Sequence, residues 1–452
     1  MKTVIDIRSN NSNAPPLTPS GNQRARNIAW SAKAPTVALF GNFGSNNSGN
    51  EGSLLTMVDF LRRARPEARL FCVCAHPSVV RSTLGIPAIS IRRTSRYSEI
   101  SNKAVRIPVR LIGKIRDLAR AFREIRQADV MIVPGTGILD DFGDPPQGMP
   151  LDVLMWCLAA RISGTKVAFA SVGAGPIDHP VSRWLLVLAA KLAHYRSYRD
   201  TPSRVFMQNA GLNTANDAVY PDIVFKLATP AVFARRTSET GALTVGVGVM
   251  KYKGWYGFAK GGQAIFDTYL DKLAQFVIYL LERGHRVKLL TGETTDMEAV
   301  DALLLRLRSS AADRLPERVG TGLSDSLHSL MEQISETDIV VATRFHNIVC
   351  ALKMEKPVIS LGYSEKNDAL LAEMGLGEYC QHVNAFDVDL LTAHFERAVA
   401  ANQEIKGLIR ARNLAFSKLL DMQYERLLSE VLPPAADVTS RFAEPAAGGR
   451  NA

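Results

Sequence analysis

The chain has 452 residues, 46% of them hydrophobic and 22% charged, with a formal net charge of +10. That length calls for two domains with sizeable cores rather than one, and the composition is that of an ordinary globular protein. No uninterrupted apolar run reaches the ~18–20 residues of a membrane-spanning helix; the run Trp184 to Ala190 is too short and is followed by Lys191. Asp6 and Arg8 interrupt the first ten residues with no apolar stretch after them, so no secretory signal is expected and a cytoplasmic location is. The five cysteines (Cys72, Cys74, Cys157, Cys350, Cys380) lack CxxC spacing and mostly sit in apolar runs. They read as core residues of a reducing compartment, and the histidines other than His346 have no ligand-like spacing. No metal and no resident cofactor are expected.

Residues 1–34, rich in Asn, Ser and Pro, and 433–452, rich in Ala, Pro and Gly, read as mobile tails. Between them strands and helices alternate. The first domain, 35–228, starts with a buried strand Thr36–Phe40, a glycine- and asparagine-rich loop Gly41–Gly52, a helix from Gly52 to Ala64 and a strand Ala68–Ala75. It continues with a strand Val130–Val133, a helix Leu151–Ile162, a strand Lys166–Val172, the triplet Tyr198-Arg199-Asp200 before Thr201–Gly211, and Pro221–Phe225. A segment without periodicity, 229–241, reads as a linker. A second domain, 242–399, begins with a strand Leu243–Val249, a helix Ala264–Gly284, a strand Val287–Leu290 and a helix Ser324–Ile334. Residues 400–432 read as terminal helices packing back on the first lobe. Such alternation implies parallel sheets with right-handed crossovers, hence an α/β protein of two Rossmann-like domains facing a cleft.

The charge is unevenly placed. Between Ile91 and Gln127 there are eleven basic residues against three acidic ones. Within that stretch Leu111, Ile115, Leu118, Phe122 and Ile125 recur at spacings of four and three, which makes 108–126 a basic amphipathic helix. It reads either as a surface helix with a solvated basic side or as a patch docking on anionic lipid at the inner face of the cell membrane, or on a lipid-linked substrate. No aromatic interleaving, zinc spacing or recognition-helix pattern accompanies it, so a nucleic-acid partner is not expected.

The most informative junction lies in the second half. A strand-like run, Asp338–Ala342, leads into Thr343-Arg344-Phe345-His346-Asn347 and then a helical run, Ile348–Met354. Ligands of open α/β sheets bind at the carboxyl ends of strands, where helix N-termini offer free N–H groups to anions. Arg344 and His346 there, with Asn347 beside them, point to an anionic substrate handled by acid/base chemistry. A second strand and loop, Lys356–Lys366, puts Tyr363, Ser364 and Lys366 at a neighbouring strand end. Three glycine loops mark the facing side: Gly41–Gly52 with Gly44 and Asn46, Pro134–Asp141 with Gly135, Thr136, Gly137 and Asp140, and Ser171–Pro176 with Gly173 and Gly175. Neither the dinucleotide fingerprint nor a Walker sequence is present.

The first glycine loop running into a helix, Val133-Pro134-Gly135-Thr136-Gly137, Gly173-Ala174-Gly175-Pro176, Tyr198-Arg199-Asp200, Pro221-Asp222, and Arg344-Phe345-His346 with Tyr363-Ser364-Glu365-Lys366 occur in an order and spacing that resembles the polysaccharide pyruvyl transferases over residues 36 to 380. The resemblance implies a two-lobed fold similar to GT-B glycosyltransferases. It also implies transfer of a pyruvyl group from phosphoenolpyruvate to a sugar of a surface or exopolysaccharide precursor, forming a pyruvate ketal. It carries phosphoenolpyruvate binding and catalysis onto Arg344 and His346. Many members have Gly-Asp in the first loop where this chain has Gly49-Asn50-Glu51, so Glu51 would have to take over any task of that aspartate.

The chemistry suits the residues. Phosphoenolpyruvate brings a phosphate and a carboxylate, which call for a bidentate arginine and a lysine: Arg344, Lys366 and Arg199. His346 is the candidate base for a sugar hydroxyl, because an imidazole titrates near working pH. Glu51, Asp140 or Asp141 could protonate the enol methylene. Plain structural roles compete: an ion pair for Arg344, a helix cap for the Arg199-Asp200 pair. Two other functions compete as well, a glycosyltransferase using a nucleotide sugar, with Glu293 as the carboxylate nearest to a ribose role, and a non-catalytic partner in saccharide assembly, which Asn50 would favour.

Overall fold

The computed structural model describes residues 34–45, 47–92, 103–142, 144–231, 241–254, 261–311 and 315–433. Apart from their boundary residues, the expected tails and linker lie outside these residues, and so does Asn46. Two parallel sheets organise the chain. The first has seven strands, β1 (Thr36–Gly41), β2 (Arg69–Cys74), β3 (Ala88–Ser90), β4 (Val130–Pro134), β5 (Lys166–Val172), β6 (Tyr195–Tyr198) and β7 (Ala218–Val219), in the order β3-β2-β1-β4-β5-β6-β7. The second has β8 (Thr244–Gly248), β9 (Arg286–Leu290), β10 (Val319–Thr321), β11 (Ile339–Ala342), β12 (Val358–Gly362) and β13 (Cys380–His382), in the order β10-β9-β8-β11-β12-β13. The continuous apolar runs of β1, β4, β11 and β12 are buried at every position, as strands covered by helices on both faces must be.

Strand order reverses between β1 and β4 and again between β8 and β11. At such switch points the flanking loops diverge and open a crevice at the carboxyl ends of the strands. The loops after β1 and β4 and those after β8 and β11 are therefore the ones placed to build a site.

Two boundaries matter for that site. The first helix runs Ser48–Ala64, beginning ahead of Gly52, because Asn47 caps it: its Oδ1 accepts from the Asn50 N–H at 3.1 Å. The helix after β11 runs Phe345–Lys353, with Arg344 as its N-cap residue, so His346 and Asn347 lie in its first turn rather than ahead of it.

A single apolar core runs from one face of the first sheet, through Leu54, Ile223 and Val224, into Leu327 and Leu330 of the second lobe. The C-terminal helix Asn402–Arg426 spans both lobes. Its Gln423 amide joins Ser171 and Ser197, Tyr424 stacks on Phe60 at 3.9 Å, and Asn413 donates to the Leu352 carbonyl at 2.8 Å.

The basic segment forms a helix, Lys103–Ile125. Lys114 and Arg92 both pair with the fully buried Asp152, and Arg120 donates to the Ser90 and Ile91 carbonyls. These pairings set the roll of the helix. Ala121 and Ile125 turn into the core, while Ile112, Ile115 and Phe122 are 51%, 60% and 38% exposed. The apolar stripe read from the sequence is thus split, half of it facing out beside the exposed Arg116 and Arg123. Among the described residues no helix is long and apolar enough to cross a membrane.

Candidate functional site

A cavity of about 240 Å³ opens at the paired switch points, lined from the first lobe by Asn42, Asn47, Asn50, Thr136, Gly137, Asp140 and Arg199. The second lobe contributes Met250, Glu293, Arg344, Phe345, His346, Tyr363 and Lys366. The lobes meet closely here. Gly49 lies against the His346 imidazole, so that a Cβ on it would stand 2.1 Å from the ring Cε1 and Nδ1, and one on Gly52 would meet Leu327 Cδ1 at 2.3 Å. One turn apart, these two glycines let the first helix of one lobe press onto the other.

His346 Nε2 has no hydrogen-bond partner among the described residues and stands 3.8 Å from Asp222 Oδ2. Burial, and then Arg199, Lys366 and Arg344, push its pKa down to about 3, so the ring is neutral at physiological pH. Asp222 is 3% exposed; its Oδ1 accepts from the Val224 N–H at 3.0 Å and its Oδ2 from Arg199 Nη1 at 3.4 Å. Burial raises its pKa against the pull of Arg199.

Arg344 is already gripped by protein. Its Nε and Nη2 donate to the two oxygens of the fully buried Asp296 at 2.8 and 2.7 Å, and Glu293 meets Nη1 and Nη2 at 2.8 and 3.0 Å. Although burial works against its charge, Asp296 and Glu293 hold its pKa above the usual arginine value. The bidentate fork expected to seize the donor anion is turned onto Asp296, because a buried carboxylate needs a paired cation. Only an edge of Nη1 remains for a ligand.

The readier cation is Lys366. It makes no hydrogen bond or ion pair among the described residues, and its Nζ lies 5.2 Å from the Tyr363 ring centre and 5.8 Å from that of Phe345. Arg199, 8% exposed, stacks over Phe345 at 4.7 Å and stands 3.6 Å from Asp200. Asp200 also caps the following helix, accepting from Ser203 N at 2.7 Å, so the cap and the cavity-facing arginine coexist. Gly173 leaves Arg199 its place, since a Cβ there would come within 2.6 Å of Nη2.

Asp140 lines the same cavity. Burial pushes its pKa up to about 6, outweighing Lys366, the Phe142 N–H and Arg199. Thr136 Oγ1, on a residue 2% exposed, has no hydrogen-bond partner among the described residues.

Other predicted residues sit elsewhere. Glu51 turns away from the cavity to accept the Gly44 N–H at 2.6 Å; it closes the loop, and burial raises its pKa. Gly44 adopts φ +76° against the His76 carbonyl, and Gly135 adopts φ +56° against Ile223 and Ser53, so both shape backbone rather than line the cavity. Asp141 accepts the Asp178 and His179 N–H groups. Asn347 is fully buried behind the cavity with both amide atoms unpartnered. Ser364, Gly173 and Gly175 line a second, adjoining cavity. Asn42 and Asn47 belong to the first glycine loop without being named individually from the sequence, Asp296 is brought beside Arg344 by folding alone, and Asp222 was visible only as part of a motif.

The family model of the polysaccharide pyruvyl transferases matches residues 47–365, from the cap of the first helix to the strand end beside Lys366. The chain belongs to the polysaccharide pyruvyl transferase family. No curated protein matches this family member. Among solved structures it is similar to the Anabaena protein HepE in complex with UDP and glucose, at TM-score 0.51 and 13% identity, covering 86% of this chain and 97% of that one. It is also similar to UDP-GlcNAc 2-epimerase from Neisseria meningitidis bound to UDP-GlcNAc, at TM-score 0.52 and 11% identity, covering 86% and 100%. A glycosyltransferase from Rickettsia africae matches at TM-score 0.54 and 11% identity, covering 87% and 97%. These likenesses place the pyruvyl transferase chain in the GT-B-like fold and speak to fold alone.

Proposed function

We propose that this protein transfers the pyruvyl group of phosphoenolpyruvate to two hydroxyls of a sugar, forming a pyruvate ketal on a surface-polysaccharide precursor. The observation that carries the reading is the facing of a neutral imidazole, His346, and a carboxyl with a pKa near 6, Asp140, across one cavity that also holds the uncommitted ammonium of Lys366. Lys366, Arg199 and the start of the Phe345–Lys353 helix receive the phosphate and carboxylate of the donor. Asp140 delivers a proton to the methylene carbon, and the first sugar hydroxyl attacks the adjacent carbon as His346 takes its proton. Phosphate then leaves with the C–O bond electrons, and the second hydroxyl closes the ketal. Of the two hydroxyl protons, one balances the new methyl C–H and the other leaves with hydrogen phosphate.

The bound anion also tunes the two groups. It offsets the cations that, after burial, help hold His346 at about 3, making the ring a better proton acceptor, and it raises Asp140 further, keeping that carboxyl protonated near neutrality. Glu293, the carboxylate a nucleotide-sugar enzyme would turn to a ribose, is held instead by Arg344 and by Asn47 at 3.1 Å. The exposed Ile112, Ile115 and Phe122 beside Arg116 and Arg123 give the same enzyme a face for an anionic bilayer, where a lipid-linked acceptor would reside.

Calorimetric titration with phosphoenolpyruvate and, in parallel, UDP-sugars tests the function. Saturable phosphoenolpyruvate binding, weakened at least about tenfold in Lys366→Met, is expected, given the ~1.5–3 kcal/mol of a charged hydrogen bond. Binding of a UDP-sugar alone overturns the proposal in favour of a glycosyltransferase.

A further inference from the structure

Beside the cavity just described lies a larger one, about 580 Å³, between the Gly173–Pro176 loop of the first lobe and the end of β12 in the second. The two share Gly137, Asp140, Arg199, Tyr363 and Lys366 as a common wall. Their chemistries differ. The smaller adds Arg344, His346 and a helix start, with Asp144 and with Glu293 already paired to Arg344, whereas the larger adds the carboxylates of Asp200, Glu365 and Asp368, the rings of Phe206 and Tyr252, and the Asn384 amide.

That combination suits a polyhydroxylated ring. Carboxylate and amide oxygens accept hydrogen bonds from hydroxyls, and aromatic faces cover the apolar C–H faces of a sugar. Asp200 is 8% exposed; its Oδ1 caps a helix, and its Oδ2, which accepts no hydrogen bond among the described residues, stands 3.6 Å from Arg199 Nε. The glycines of the loop make the space. Gly175 holds φ +69°, and a Cβ on it would meet the Phe206 ring at 2.6 Å, while one on Gly173 would displace the Arg199 guanidinium. A trianionic donor would here face Asp200, Glu365 and Asp368 without Arg344 or the helix start, and a sugar acid would meet the same repulsion.

We propose that this second cavity seats the acceptor of the transfer, a neutral pyranose, with its hydroxyl pair directed past Asp140 and Lys366 toward the donor carbon in the smaller cavity. The assignment rests on the pyruvyl-transfer reading. The volume lies within the ~300–1,000 Å³ of small-molecule sites, so there is room for more than the reacting ring.

Ligand-observed NMR with methyl glucopyranoside, galactopyranoside and mannopyranoside, with glucuronate as the anionic comparator, tests it alongside calorimetry with phosphoenolpyruvate. Ala174→Trp is designed to fill the larger cavity, and Asp368→Ala removes one of its carboxylates without adding bulk; thermal melts check that each variant folds. Expected are binding of at least one neutral pyranoside to the wild type in the presence of phosphoenolpyruvate, no comparable binding of glucuronate, and loss of about tenfold or more in either variant. The phosphoenolpyruvate isotherm should stay within about twofold of wild type, because Ala174 and Asp368 line only the larger cavity. Pyranoside binding that survives in both variants, or is absent from the wild type, overturns the assignment. So does loss of phosphoenolpyruvate binding in a folded Ala174→Trp protein, which would make the two cavities one donor site. Failure of the wild type to bind phosphoenolpyruvate, with pyranoside binding retained and variant-sensitive, would instead refute the donor and leave the sugar site standing.

Discussion

Replacing His346 by glutamine removes an imidazole that the fold keeps from taking up a proton, and the consequence can be read in acid stability without any substrate. In the unfolded chain this histidine titrates at the ordinary 6.5, while in the folded protein burial and three neighbouring cations push it down to about 3. As pH falls through 6.5 the unfolded state binds a proton that the folded state refuses, so stability is lost between those two values and is fully present only above the upper one. Between pH 7 and pH 5 the linkage amounts to about 2 kcal/mol. Urea denaturation at the two pH values should therefore show the wild type losing about 2 kcal/mol more than His346→Gln. The imidazole resonance of the free protein should titrate far below 6.5 and shift upward when phosphoenolpyruvate binds. Parallel loss of stability in the two proteins would mean that His346 is not held neutral by its surroundings, and the assignment of a base tuned by the arriving anion would fall with it.

At Gly49→Ala, the new methyl would need the His346 ring to retreat from 2.1 Å to ordinary contact at about 3.4 Å. Overpacking costs about 1–3 kcal/mol and better helix propensity returns about 1. The melting temperature should thus fall modestly while phosphate release from phosphoenolpyruvate falls about 100-fold, the penalty of an ångström-scale misplacement. Gly52→Ala serves as the contrast, since its clash is with the end of the flexible Leu327 side chain; equal losses of turnover in the two variants would contradict a catalytic reason for Gly49. Anionic phosphatidylglycerol vesicles should sediment the protein at low salt and release it as ionic strength rises toward ~0.5 M, where the Debye length shrinks to a few ångströms. Ile115→Asp combined with Phe122→Asp should abolish that binding, and indifference to lipid charge would remove the membrane face from consideration.

Much of this protein is legible in its sequence because the signals are local. Continuous apolar runs mark β1, β4, β5, β8 and β11, and their alternation with helical periods leads to two parallel sheets with ligands at their carboxyl ends. The Arg344–His346 junction and the Gly137, Asp140, Tyr363 and Lys366 positions could be named from chain order and turn chemistry alone, and all line the cavity. What the sequence could not supply is which way a side chain faces once lobes and loops meet. Arg344 stands at the predicted strand end, yet Asp296, 48 residues earlier, takes its fork, because folding buries that carboxylate beside it. Glu51 stands one turn into the first helix, yet the Gly44 N–H draws it away from the cavity, which Asp140, its pKa raised by burial, lines instead. The stripe on the Lys103–Ile125 helix was periodic in the sequence, but its roll was set by Asp152 in another helix. The strands and the loops after them follow from patterns within a few residues of one another. The protonation of His346, the partner of Arg344 and the division of the cleft into two chambers depend on charges and backbones distant in the chain, and only the tertiary fold brings those together.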